Sequence, residues 1–295
     1  MSKLDAFRDI LQTNALASDL TWLRIGGPLE YLARPRTEEE LVELVKACRS
    51  EELETRVLGD GSALLVADEG ARGVAIQLSE PEFCKVELEP PYVEVGGGAM
   101  LGRLVTTTAS EGLSGLEGLI GTPGTVGAAA LVNASTRDVS LGQWIESVRI
   151  ATFEGEIVEL SKGELVFGYR SSNLELGVVL SVRCKLDPDR PEEITKRLQK
   201  TWIVREQSRP ELSEDTGYAR LFKNPQGELA AELVEQVGLS GAKVGGASLC
   251  ETLPNLMLTA PPCSSDDALR LIELIQQRTS ERLGVELESE LTVWR

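Results

Sequence analysis

Residues 29–62 read LEYLARPRTEEELVELVKACRSEELETRVLGDGS, and this stretch decides the class of fold. Leu29 to Ala33 is a short apolar run suited to a buried strand. From Glu38 to Arg49 the residues Leu41, Leu44, Val45 and Cys48 recur at i, i+3, i+4 and i+7, the stripe of a helix with one buried and one charged face. Thr37 and Glu40 have the spacing of a capping box in front of it. Thr55 to Leu58 is a second strand that runs directly into the turn Gly59-Asp60-Gly61-Ser62. Strand, helix and strand make a βαβ unit. A glycine turn after a buried strand offers backbone N–H groups that no side chain obstructs, which suits an anionic ligand. Taken alone such a turn is more often structural, because it matches neither the dinucleotide fingerprint nor a P-loop.

Further along, Tyr92 to Val95 opens a second strand-rich stretch, followed by glycines at 112, 115, 118, 121, 124 and 127. The period is too short and too poor in proline for collagen, so tight turns are expected there. Val148 to Leu186 alternates in strand fashion, and Asp187 to Pro191 punctuates the chain before a helix from Glu192 to about Glu206. Beyond a boundary near residue 210, Ala230, Leu233, Val234 and Val237 form a helical face closed by Gly238. A second face, Ala268, Leu271, Ile272 and Ile275, is closed by Gly284. Alternation from Val285 to Trp294 predicts a last strand with Glu286, Glu288 and Glu290 on its polar face.

A chain of 295 residues holds two or three packed units and a cleft. Its net charge of -17 repels a phosphate backbone and anionic lipid, so neither nucleic acid nor membrane is an expected partner. An anionic substrate would need a local cluster of Arg and Lys. The five cysteines form no C-x-x-C pair, so no metal site or disulfide framework is expected. The absence of histidine removes Ser-His-Asp triads, Cys-His dyads and His-ligated zinc. The N-terminal stretch is polar and no apolar run approaches a membrane span, which suggests a cytoplasmic protein.

Six blocks occur in one order: Arg24-Ile-Gly-Gly-Pro28, Val57-Leu-Gly-Asp-Gly-Ser62, Gly112-Leu-Ser-Gly-Leu-Glu117, Gly121-Thr-Pro-Gly-Thr-Val-Gly127, Phe167-Gly-Tyr-Arg-Ser-Ser172 and Phe222-Lys-Asn-Pro225. In order and spacing the chain resembles the UDP-N-acetylenolpyruvoylglucosamine reductase family from about residue 15 to its C-terminus. The resemblance implies an α+β fold: a vanillyl-alcohol-oxidase-like (PCMH-type) FAD-binding domain over 15–210, with subdomains of about 15–85 and 86–210, and a smaller substrate domain over 211–295. It implies FAD as cofactor, NADPH as hydride donor, a nucleotide-sugar substrate, a monomer, and a place in peptidoglycan synthesis and hence in cell shape and division. FAD would be noncovalent, since no histidine is present to tether it.

Residue by residue, the resemblance implies that Arg24, Gly59, Gly61, Ser62, Gly121, Thr122, Pro123, Gly124, Thr125 and Gly127 hold the cofactor. Tyr169, Lys223 and Asn224 would contact substrate, and Arg170 and Glu290 would stabilise the enolate formed by hydride addition. Arg220 stands where the family carries its proton-donating serine. Arginine stays charged and is a poor general acid. Three readings stay open: a proton from water or from a hydroxyl such as Tyr218 or Thr216, binding without turnover as in an impaired paralogue, or a different anionic substrate. Asp60 replaces a glycine, and its carboxylate beside a diphosphate predicts weak FAD retention unless it points to solvent or pairs with Arg24.

Overall fold

The computed structural model describes residues 3–207, 210 and 212–295. Packing divides the chain into two compact units that are interleaved along the sequence. One comprises 1–12, 32–59 and 73–209, the other 13–31, 60–72 and 210–295.

The first unit contains α1 (Glu38–Ser50), whose stripe Leu41, Leu44, Val45 and Cys48 is buried as the periodicity requires. Each such side chain contributes roughly 1.5–3 kcal/mol. Thr37 caps α1 by accepting the Glu40 N–H at 3.2 Å. The capping box is only half made, because the Glu40 carboxylate turns to the backbone N–H and guanidinium of Arg36. The βαβ reading also needs one correction. The strand Ala71–Ile76 lies between the strands Pro28–Ala33 and Thr55–Val57. It pairs in parallel with Thr55–Val57, while Gln77 N–H donates to Ala33 O at 2.9 Å. The crossover is intact, but the two strands it joins are not neighbours.

The same unit holds a five-stranded antiparallel sheet, in the order Ile157–Ser161, Ile145–Thr152, Gly177–Lys185, Tyr92–Gly96, Val86–Glu89. Val93, Val95, Val148, Ile150, Val182 and Cys184 form its buried face. They pack with Leu101, Leu104 and Val105 of α2 (Leu101–Ser110) and with Val126 and Ala130 of α3 (Val126–Leu131). Burial pushes the Cys184 thiol up to about 12, so it behaves as a small apolar side chain. The glycine-rich run between α2 and α3 forms turns, as expected.

Helix α4 (Pro191–Gln207) fully buries only Ile194 and is tied down by polar contacts. Arg197 reaches Glu117 at 2.9 Å and Asp189 at 2.7 Å. Glu117 also accepts from Ser114 Oγ and Gly115 N–H. Burial opposes the charge of Glu117, but hydrogen bonds from its own and Gly115 backbone N–H, Arg197 and Ser114 outweigh it and hold the carboxyl below the ordinary carboxylate range.

In the second unit a four-stranded antiparallel sheet runs in the order Gly217–Arg220, Leu256–Thr259, Ala247–Leu249, Lys243–Val244. It shares a core with α5 (Ala230–Gln236) and α6 (Ser265–Leu283), whose stripes Ala230, Leu233, Val234 and Ala268, Leu271, Ile272, Ile275 are buried. Gly284 ends α6 in the left-handed conformation. The predicted last strand is shortened: only Thr292–Trp294 is a strand, parallel to Leu64–Val66. Residues 285–291 are held by scattered bonds instead, including Gln276 Nε2 to Leu287 O, Lys223 N–H to Glu288 O and Glu290 N–H to Leu221 O. Val293, on the face opposite the glutamates in that alternation, is 39% exposed. Among the described residues no helix is long and apolar enough to cross a membrane.

The Glu117 carboxylate stabilises the first unit above its ordinary value of 4.5, and that contribution disappears as pH falls through its lower folded value. Glu117→Gln is therefore expected to cost about 1–3 kcal/mol near neutral pH. The gap from wild type should close on acidification in urea titrations across that range. A pH-independent gap would contradict the assignment.

Candidate functional site

In the first unit two expected cofactor segments meet. A Cβ built on Gly59 would lie 3.2 Å from Ala128 Cβ and 3.4 Å from Thr125 Oγ1, so the end of the strand at 55–57 leads onto the start of α3. Thr125 caps that helix by accepting the Ala128 N–H, and Gly127 N–H donates to Gly97 O at 2.8 Å. Pro123 is exposed, and Gly124, at φ +117°, has nothing within 4 Å of a Cβ position. Gly124 itself is buried, yet the space beside its Cβ position is empty, while Gly121 and Pro123 on the same turn are exposed.

The block at 167–172 is a hairpin, Phe167 opposite Ser172 and Gly168 opposite Ser171, with Tyr169 and Arg170 at its tip. Arg170 takes a left-handed φ of 53°, and its guanidinium lies 5.9 Å from the Tyr169 ring centroid. The tip is held from behind. Asn133, itself buried at φ 45°, donates Nδ2 to Gly168 O at 2.8 Å and accepts the Gly142 N–H at 2.9 Å. Ser172 Oγ donates to Leu131 O at 2.6 Å. Asn133 is a positioning residue that the sequence reading missed. Its signal was a polar residue two positions beyond a small-residue helix.

The second unit holds the other named residues. Asn255 receives the Phe222 N–H at 2.9 Å and returns Nδ2 to Phe222 O at 2.8 Å, fixing the chain after the strand Gly217–Arg220. The segment 288–290 lies alongside, through Lys223 N–H to Glu288 O and Glu290 N–H to Leu221 O. This brings Arg220 Nε to 3.8 Å from Glu290 Oε2, with the arginine half exposed and the glutamate mostly buried. Lys223 pairs with Glu288. Asn224 uses its Oδ1 on the Ala230 N–H, at the start of α5. Both cations are matched by glutamates here, so the cationic cluster that an anionic substrate requires is already balanced locally.

The remaining turn residues belong to this unit too. Arg24 is exposed, at φ 52°. Gly61 has φ +73°, and a Cβ there would fall 2.1 Å from Leu20 O. Asp60 Oδ1 accepts from both Ser62 N–H (3.1 Å) and Ser62 Oγ (2.7 Å), while Oδ2 is buried with no hydrogen-bond partner among the described residues. The carboxylate folds inward, neither to solvent nor onto Arg24, unlike either escape considered from the sequence.

Residues 29–161 match the FAD binding domain family, and residues 213–294 match the C-terminal domain of UDP-N-acetylenolpyruvoylglucosamine reductase. The first match makes this a flavin-dependent class of protein. Over 97% of its length the chain is 36% identical to the UDP-N-acetylenolpyruvoylglucosamine reductase of Rhodopirellula baltica and 35% identical to that of Moorella thermoacetica, covering 93% of each. A crystal structure of the Thermus caldophilus enzyme superposes with a TM-score of 0.81 at 37% identity, over 95% of this chain and 98% of that one. The chain belongs to the UDP-N-acetylenolpyruvoylglucosamine reductase family, and has that family's α+β fold.

The first unit fits FAD by its own geometry. Gly59 packed on Thr125, and the empty space beside the Cβ position of Gly124, leave a cradle that side chains would fill.

Gly61→Ala is expected to destabilise the second unit by roughly 1–3 kcal/mol, because the new Cβ meets a backbone carbonyl at a left-handed φ. Urea unfolding measures this. An unchanged midpoint would mean that the turn relaxes without resistance.

Proposed function

We propose that this protein reduces UDP-N-acetylglucosamine enolpyruvate to UDP-N-acetylmuramate in peptidoglycan precursor synthesis, with noncovalent FAD as cofactor and NADPH as hydride donor. The observation that carries this reading is the near full-length likeness to reductases, 36% over 97% of the chain. The expected cofactor domain, 15–210, contains the FAD-binding match at 29–161 and the expected substrate domain, 211–295, the C-terminal match at 213–294, although by packing 13–31 and 60–72 group with 210–295. Arg24, Gly59, Gly61, Ser62 and the turn Gly121, Thr122, Pro123, Gly124, Thr125 and Gly127 hold FAD.

FAD held by these residues would supply the hydride-transfer chemistry between NADPH and the enolpyruvyl double bond. Hydride addition drives negative charge onto the substrate carboxylate. Arg170 answers that charge, on a hairpin tip whose backbone is fixed by Asn133 and Ser172. Glu290 acts with it, and Lys223, Asn224 and Tyr169 contact substrate. Arg220 is a poor general acid, because a guanidinium holds its protons too tightly. Its contact with Glu290 supports an electrostatic role: it orients the glutamate and adds a cation for the carboxylate.

The proton comes from a hydroxyl. Thr216 is engaged with Ser213 Oγ at 2.6 Å, which disfavours it. Tyr218 is the better donor. Gly217 and Ala219 are buried along the strand, so Tyr218 shares the outward face with Arg220, its ring set edge-on against Trp22 at 5.1 Å.

The test is a stopped-flow absorbance trace in which FAD-loaded protein is reduced by NADPH and then mixed anaerobically with the enolpyruvyl substrate. Flavin reduction followed by substrate-dependent reoxidation is expected. Reduction without reoxidation would favour the impaired-paralogue reading instead. In the same assay Tyr218→Phe should slow reoxidation by roughly 10²-fold or more while leaving reduction by NADPH unchanged. Unaltered reoxidation would assign the proton to water. Arg220→Ser should change the rate by no more than about tenfold, as befits a group that assists by charge alone.

A further inference from the structure

Helix α4 ends over the expected cofactor turn, and its last turn touches that turn through one side chain with two donors. Arg205 Nη1 donates to Thr122 Oγ1 at 3.0 Å and Nη2 donates to Gly118 O at 3.0 Å. Between these two points lies Gly121, at φ +74°. A Cβ there would come 3.4 Å from the Trp202 ring and 3.5 Å from Arg205 Cδ, so the arginine stem and the indole lie directly on the glycine backbone. On its other side the run is fastened by Leu101 N–H to Gly124 O and Val126 N–H to Ala99 O.

We propose that Arg205 is a positioning residue for FAD, clamping the Gly118–Thr122 turn in the conformation that presents the Gly121–Gly124 backbone to the cofactor. The proposal rests on the reading of that turn as part of the flavin site. Three features separate it from a general packing role. The anchor is polar and two-pointed, so it sets the turn's conformation rather than adding apolar burial, and α4 fully buries only Ile194. Because Thr122 Oγ1 accepts from Arg205, its own hydroxyl proton is directed away from the arginine, as a donor for an anionic ligand. The guanidinium also places a permanent cation against the turn in a chain of net charge -17, whose overall field opposes a diphosphate. Lysine cannot reproduce the fork, because an ammonium on a flexible stem makes a point contact.

The experiment titrates FAD into the flavin-stripped full-length chain, following flavin fluorescence at low and moderate salt, for wild type, Arg205→Lys, Arg205→Gln and Thr122→Val. Thermal midpoints of the stripped proteins are measured alongside. Arg205→Gln is expected to weaken FAD binding roughly tenfold or more, with a shallower salt dependence. Its stripped-protein midpoint should stay within about 4 °C of wild type. Arg205→Lys should restore the salt dependence but not the full affinity, and Thr122→Val should weaken binding as well. Wild-type affinity in Arg205→Gln would overturn the proposal, as would an affinity loss matched by a large fall in the midpoint. If the wild-type chain itself takes up no FAD, the reading of the turn fails, and the clamp with it.

Discussion

The second unit depends on backbone lying directly against backbone. Gly27 N–H donates to Ala67 O at 2.8 Å, and a Cβ on Gly27 would fall 2.1 Å from Asp68 O. Trp22 N–H donates to Gly61 O, and Ala67 N–H in turn donates to Trp294 O, next to the parallel pairing of Thr292–Trp294 with Leu64–Val66. No side chain can enter these contacts, so segments 13–31, 60–72 and the chain's end are locked in one register. What reads in the sequence as two separate glycine motifs is a single packed structure. The turn at Asp60–Ser62 inherits its orientation from that packing, and with it the inward set of the Asp60 carboxylate.

Charge is handled locally in each unit. In the first, buried Glu117 keeps its charge because four hydrogen-bond sources outweigh the cost of burial. In the second, Arg220 and Lys223 each face a glutamate. Such partly exposed pairs add little to stability, since solvent screens them and ordering two long side chains opposes them. In the proposed mechanism a substrate carboxylate or phosphate would take over a cation that is already positioned, and only a weak contact would be given up. This suits a chain whose overall field repels its own ligand.

Local elements were legible in the sequence where local physics sets them. The α1 stripe and its Thr37 cap, the buried faces of α5 and α6 and the Gly284 terminus all follow from spacing and chirality within a few residues. Pairings made across long stretches of chain were not. The strand at 71–76 enters between the two strands of the βαβ unit, and no periodicity encodes which strand a third one joins. The alternation at 285–294 was real, yet its backbone bonds go to single partners at 221, 223 and 276, so no ladder forms before Thr292. Among the candidate site residues, the blocks were readable, but what holds them was not. Asn133, Asn255 and Arg205 act through one or two hydrogen bonds to backbone or to a threonine hydroxyl, and a single polar residue looks the same whether it faces solvent or braces a turn.

In the proposed mechanism the arginine at position 220 would change the chemical demand on its neighbours. A cation beside the developing enolate lowers the barrier to hydride addition, because it meets charge where that charge appears. It also makes the resulting carbanion less basic, so protonation needs a stronger acid than before. Water is poorly matched to that task, whereas a phenol is a stronger acid and better matched. The strand carries a phenol two residues from Arg220 on the same face. In the proposed mechanism the strand would divide two duties that a single serine could combine, with charge stabilisation at 220 and proton delivery at 218. On this view the arginine is tolerated because the strand's alternation keeps an acid within the same surface, and the exchange shifts the division of labour without removing any chemical function the reaction requires.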